Sequence, residues 1–227
     1  MPSRLSSLRW VLGLVTALAL LAGCATLDQK QREWIFQPNT AAPVRTEPRA
    51  DGLEDVWITH RPQNTGAEVR LHALWLPNAK ADAPVLLYLH GARRNIEGST
   101  FRIRNMQELG FSVLAVDYRG FGQSTAELPS ESSVLEDARA AWDWIAREQP
   151  GRPRYIFGHS LGGAIAVQLA AEVNDARGLI VEGTFTSIPD VFRSFRWGWL
   201  PLTPLITQRF DSARRIADVR VPVLVVH

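Results

Sequence analysis

At 227 residues, with 46% hydrophobic and 21% charged side chains, the chain has the make-up of a globular protein able to bury a sizeable core. Its 25 Lys and Arg nearly cancel its 23 Asp and Glu, for a formal net charge of +2. No block of like charge gives a nucleic-acid partner an electrostatic footing, and the single cysteine, Cys24, excludes an internal disulfide framework and a cysteine-built metal site.

In chain order, Arg4 and Arg9 come first, followed by the uncharged run Trp10 to Leu21 and by the small residues Ala22 and Gly23. Charge, a short apolar stretch and a small-residue site form the order of a secretory signal peptide, and the stretch is shorter than the ~20 residues a membrane-spanning helix needs. Leu21-Ala22-Gly23-Cys24 resembles the bacterial lipoprotein box. The resemblance implies cleavage before Cys24, diacylation of its thiol and, with Ala25 next, anchoring at the periplasmic face of the outer membrane. A plain signal peptide with an incidental cysteine is the alternative. Residues 1–23 are therefore expected to be a signal peptide. Residues 24–52, polar and punctuated by Pro38, Pro43 and Pro48, are expected to be a tether with little packed structure, from which Trp34-Ile35-Phe36 can pack back onto the domain.

The body, 53–227, alternates strand and helix. Val56–Thr59 and Val69–Leu76 read as strands, with Asn64-Thr65-Gly66 as the turn between them. Pro84–Leu89 and Phe111–Val116 are nearly all apolar, as strands covered on both faces are. Ser99–Leu109 reads as a helix ended by Gly110. Ser133 with Glu136 forms a capping box, and Leu135, Ala138, Trp142 and Ile145 form the apolar stripe of the next helix, which Pro150 closes. Arg154–Phe157, Gly178–Val181 and Val221–Val226 are strands, and Leu161–Val173 is a helix. Such alternation predicts an α/β fold, a mostly parallel sheet with helices on both faces.

Gly158-His159-Ser160-Leu161-Gly162 fits G-x-S-x-G between a buried strand and a helix. A sharp turn there lifts the Ser160 hydroxyl above the sheet and makes it the candidate nucleophile; a packing turn that has lost the chemistry is the bland reading. The backbone N–H of Leu161, at the helix start, and that of Ala92, after Leu89-His90-Gly91, are the candidate oxyanion donors. His90 reads as a structural strand-end histidine, and the turn directs His159 away from the serine. Asp117 reads as a loop-organising group paired with Arg119. The arginine pairs Arg93-Arg94 and Arg214-Arg215 read as solvated faces.

Leu89-His90-Gly91, Asp117-Tyr118-Arg119-Gly120-Phe121-Gly122, Gly158–Gly163 and Val221–His227 together resemble the α/β-hydrolase superfamily, in its monoacylglycerol-lipase-like and serine-aminopeptidase-like branch. The resemblance implies a Ser-His-Asp mechanism with Ser160 in the nucleophile position. It also implies that the acid and the histidine lie beyond the seventh strand, so the chain is expected to be truncated after that strand and to hold neither. Glu182, at the end of the sixth strand, is a substitute candidate for the acid, with hydrogen bonding at the sheet edge as the other reading. His227 reads as structural, and His60 and His72 as surface or core residues. Residues 185–216 resemble the family's lid insertion. Phe192, Phe195, Trp197 and Trp199 there can pack on the sheet, wall an apolar group, or touch a bilayer.

The expected activity is a serine hydrolase that cleaves an ester, thioester or amide through an acyl-enzyme on Ser160. Its substrate is a small acyl-type molecule or a peptide, its membrane contact is through lipidated Cys24, and it needs no metal or cofactor. The rival reading is a lipid-anchored, non-catalytic binding protein, or a membrane-surface sensor, that keeps the fold.

Overall fold

A computed structural model describes residues 4–38, 52–62, 65–196 and 198–227. Residues 39–51 of the expected tether, Asn64 of the predicted turn and Trp197 of the aromatic segment lie outside the described residues.

Seven strands form one sheet in the order β1-β2-β4-β3-β5-β6-β7. β1 (Glu54–His60) and β2 (Val69–Leu76) pair antiparallel, and β2 runs antiparallel to β4 (Ser112–Val116). From β4 onward β3 (Val85–Leu89), β5 (Arg154–His159), β6 (Ala176–Glu182) and β7 (Val223–Val226) are parallel. The predicted mostly parallel sheet is therefore present, and each strand read from sequence falls on an observed one. β3 and β4 are buried on both faces, which is why their sequences do not alternate.

The two faces carry separate cores. Leu87, Leu89, Leu114 and Ile156 pack against α3 (Glu131–Glu148) and α4 (Leu161–Glu172), whose Trp142 and Ile165 fill the space. Leu86, Tyr88, Val113 and Phe157 point the other way, toward Ile103 of α2 (Thr100–Glu108). From β3 the chain goes to β4 on one side and then back over β3 to β5 on the other. That reversal opens a crevice at the carboxyl ends of β3 and β5, where ligands bind in open α/β sheets.

Two local expectations are corrected. Helix α3 is capped by Ser130 and not Ser133: the Ser130 hydroxyl accepts from the Ser133 amide (3.1 Å) and the Ser133 hydroxyl accepts from the Ser130 amide (2.8 Å). Glu136 is thereby free to meet Arg119 (3.0 Å). The second correction concerns the tether. Helix α1 runs unbroken from Arg4 to Phe36, so Thr26–Phe36 is helical. That stretch contains no proline and is rich in good helix formers, and the prolines that suggested a tether begin only at Pro38. The helix ends in a left-handed turn at Gln37 (φ 45°), whose amide donates to Glu33 O (3.0 Å). Phe36 does pack back, fully buried against Phe210 (ring centroids 5.9 Å).

Candidate active site

Ser160 stands between β5 and α4 with φ 54° and ψ −120°, a strained conformation for a residue with a side chain. Three main-chain bonds hold it there. Its amide donates to Glu182 O of β6 (2.9 Å), and its carbonyl accepts from the Gly163 amide (2.9 Å) and the Thr184 hydroxyl (3.0 Å). The two glycines of the motif are needed for room: a Cβ on Gly158 would overlap the Gly162 carbonyl, and one on Gly162 would overlap the Leu89 carbonyl. The turn can close only against bare backbone, so a three-residue pattern translates into a specific bend.

Ser160, Leu161 and Ala92 all line one cavity of about 640 Å³. The Leu161 amide opens α4. The Ala92 amide follows Gly91, where a Cβ would come within 3.1 Å of the Ser160 Cβ. Neither amide donates to a backbone carbonyl among the described residues. Two free donors beside a lifted hydroxyl can stabilise the oxyanion of a tetrahedral adduct.

The loop that carries Ala92 is fixed from below. Asp117, buried at the end of β4, accepts from the Ile96 amide (2.8 Å) and lies 3.4 Å from Nε2 of His90. Asp117 therefore organises this loop as expected, but its partner is not Arg119. That guanidinium is buried on Asp137 of α3 (2.7 Å) and pins the Arg119–Gly122 turn to the helix. His90 is fully buried, and its Nδ1 meets Gly91 O at 2.7 Å. Burial holds its pKa below the ordinary histidine value, against the pull of Asp117. Neither His90 nor His159 lines the cavity. Burial and the nearby Arg102 cation both keep the His159 imidazole toward its neutral form.

Glu182 binds Arg102 in a two-pronged ion pair (3.0 and 2.8 Å), which lowers its pKa. Its carboxylate is thus occupied by a cation at the sheet edge. His60 bonds Asp137 (3.0 Å), and His72 bonds Asp55 (2.7 Å). Arg93-Arg94 and Arg214-Arg215 are exposed, as read from sequence, and Arg93 also lines the cavity.

Phe185, Phe192 and Phe195 line the cavity, as do Ile188 and Val191 of α5 (Ile188–Ser194) and Leu202, Leu205 and Ile206 beyond it. Sequence reasoning missed the opposite wall: Leu27, Gln31, Trp34 and Ile35 of α1. The signal was present as an i, i+4, i+7, i+8 spacing, hidden by the assumption that no helix lay there.

Comparison with known proteins agrees with this fold. Residues 80–222 match the family described as serine aminopeptidase, S33. An uncharacterized protein of Mycobacterium tuberculosis is 43% identical over 224 residues, covering 95% of this chain and 75% of that one. A lysophosphatidylserine lipase of Danio rerio is 34% identical over 164 residues, covering 63% of this chain and 42% of the lipase. Among solved structures, an esterase of Pyrococcus furiosus superposes with a TM-score of 0.64 at 18% identity, covering 83% of this chain and 75% of the esterase. That last likeness bears on the fold alone.

Proposed function

The chain belongs to the serine aminopeptidase S33 family and has the α/β-hydrolase fold, and from that premise we propose that it is a serine hydrolase with Ser160 as nucleophile. The observation that carries this reading is the strained turn that sets the Ser160 hydroxyl in one cavity with the free amides of Leu161 and Ala92. The Oγ attacks the acyl carbonyl, and its proton passes to a histidine base. The C–O bond of the leaving alcohol breaks as the alcohol takes that proton. Water repeats the sequence and releases the acid.

This mechanism needs an acid and a histidine besides Ser160, and among the described residues no histidine or carboxylate lines the cavity. The chain spans three quarters of the length of its Mycobacterium relative.

The cavity favours an ester of an apolar acid over a peptide. Its walls are mostly hydrocarbon, with Gln31, Gln37 and Arg93 the polar exceptions beside Ser160, and most amides and carbonyls of a peptide would lose their hydrogen bonds there. The lipase name of the Danio rerio relative points the same way. Cys24 as a lipid anchor, and a place on the periplasmic face of the outer membrane, complete the proposal. The test is turnover of p-nitrophenyl esters and aminoacyl p-nitroanilides by full-length protein. Ester hydrolysis that falls to background in Ser160→Ala supports the proposal. A folded protein inert toward both substrates supports the non-catalytic reading.

A further inference from the structure

One wall of the cavity comes from outside the family domain. Leu27, Gln31, Trp34 and Ile35 belong to α1, whereas the S33 match begins at residue 80. The four lie on a single helical stripe, roughly 12 Å long from Leu27 to Ile35 at ~1.5 Å per residue. The side of the helix away from the stripe carries Gln29 and Glu33, and the Gln29 amide donates to the Glu33 carboxylate (2.9 Å).

The helix is docked in a fixed register by polar contacts from Gln31 within that stripe and from Asp28 and Arg32 along one flank of it. Gln31 donates to Leu205 O (2.8 Å) and accepts from the Thr207 amide (3.0 Å). Asp28 accepts from the Thr207 hydroxyl (2.7 Å) and Gln208 (3.0 Å), and Arg32 donates to Pro129 O (2.9 Å). The Phe36 carbonyl accepts from the Arg93 amide (3.0 Å), which ties α1 to the loop that carries Ala92.

Held in this way, Leu27 and Trp34 remain 41% and 66% exposed, in the cavity and not in the core. The Trp34 ring meets that of Phe195 in a tilted contact, with centroids 6.4 Å apart, which joins the α1 wall to the wall beyond α5. Arg93 is the only charged side chain lining the cavity among the described residues. The space between α1 and α5 is therefore a mostly apolar slot that also reaches Ser160, with Gln31, Gln37 and Arg93 as its polar lining.

We propose that α1 is the specificity wall of the site: the acyl chain of the substrate lies along the Leu27–Ile35 stripe while its carbonyl meets Ser160. The substrate class is a medium- or long-chain fatty-acyl ester. This rests on the serine-hydrolase reading. A short acyl group leaves the stripe uncovered, whereas a long one buries Trp34 and Leu27 and gains their transfer free energy.

The experiment compares p-nitrophenyl laurate with p-nitrophenyl butyrate on the full-length protein. Trp34→Ala is expected to lower the laurate-to-butyrate ratio of kcat/KM about tenfold, mostly through KM, as loss of uniform binding does. Leu27→Trp, which fills the far end of the stripe, is expected to lower the same ratio. Gln29→Ala, on the side of α1 that faces away from the stripe, is expected to leave it at the wild-type value. A wild-type ratio in both Trp34→Ala and Leu27→Trp overturns the proposal while the hydrolase reading stands. Wild-type protein that cleaves neither ester removes the hydrolase reading, and the specificity wall with it.

Discussion

The turn that presents Ser160 depends on the bare backbone of the glycines on either side of it. Gly162→Ala tests this. The added Cβ has to displace the Leu89 carbonyl, so the strand that carries the oxyanion loop must move. Overpacking of this kind costs about 1–3 kcal/mol. The expected outcome is a lower urea midpoint together with loss of esterase activity out of proportion to the loss of fold. Full activity would show that the close backbone contact is not needed.

His72 supplies a pH-dependent test. Burial works against its charge, but the carboxylates of Asp117 (3.8 Å) and Asp55 (2.7 Å) more than offset that and raise its pKa above the ordinary value. A raised folded-state pKa contributes stability that is complete below the unfolded value of about 6.5 and is lost as pH rises through the folded value. His90, lowered by burial, acts in the opposite sense. The difference between wild type and His72→Gln isolates the first effect. The wild-type advantage in urea midpoint should shrink as pH rises above neutrality; an advantage that is constant with pH contradicts it.

Among the elements, the strands and the serine turn were legible because burial imposes a pattern on sequence. β3 and β4 read as apolar runs, and Gly158 and Gly162 mark the bend directly. The α3 start was misplaced by three residues because two serines compete for the cap, and only Ser130 stands in the extended conformation that capping needs. The Arg119 pairing was missed because Asp137 is distant in sequence and near only once α3 lies over β4. The largest omission was the α1 wall. Its stripe is visible in the sequence, but nothing local says that the helix folds back over the Ser160 cavity; the partners that hold it there, near Pro129 and Thr207, are far along the chain.

Phe36 is the pin of that arrangement. Truncating a fully buried phenylalanine costs about 3–5 kcal/mol. Phe36→Ala should therefore raise amide hydrogen exchange across 26–36 while β3 and β5 stay protected, and unchanged exchange in α1 would mean that the polar contacts suffice. The Gln37 turn and the Arg93 amide make the effect reach the site, since the same carbonyl that ends the helix also positions the loop of Ala92.

At the scale of the whole molecule, the proposed anchor and one wall of the proposed active site share one helix. Cys24 is exposed, and Leu27, the first residue of the cavity wall, follows it by less than one turn. A diacylated Cys24 would thus hold the substrate slot beside the bilayer from which a fatty-acyl ester is drawn. In a bacterial host, Cys24→Ala is expected to move the protein from the membrane fraction to the soluble one; membrane retention by the variant would refute the lipid anchor. The fold and the Ser160 turn do not depend on that result, because the two cores that pack around the turn do not include Cys24.

The most direct test of the central claim is covalent labelling. Full-length protein is treated with a fluorophosphonate, digested and sequenced by mass spectrometry. The account predicts a phosphonyl adduct on Ser160 in the wild type and none anywhere in Ser160→Ala. Folded wild-type protein that takes no label, or carries it on another residue, contradicts the account.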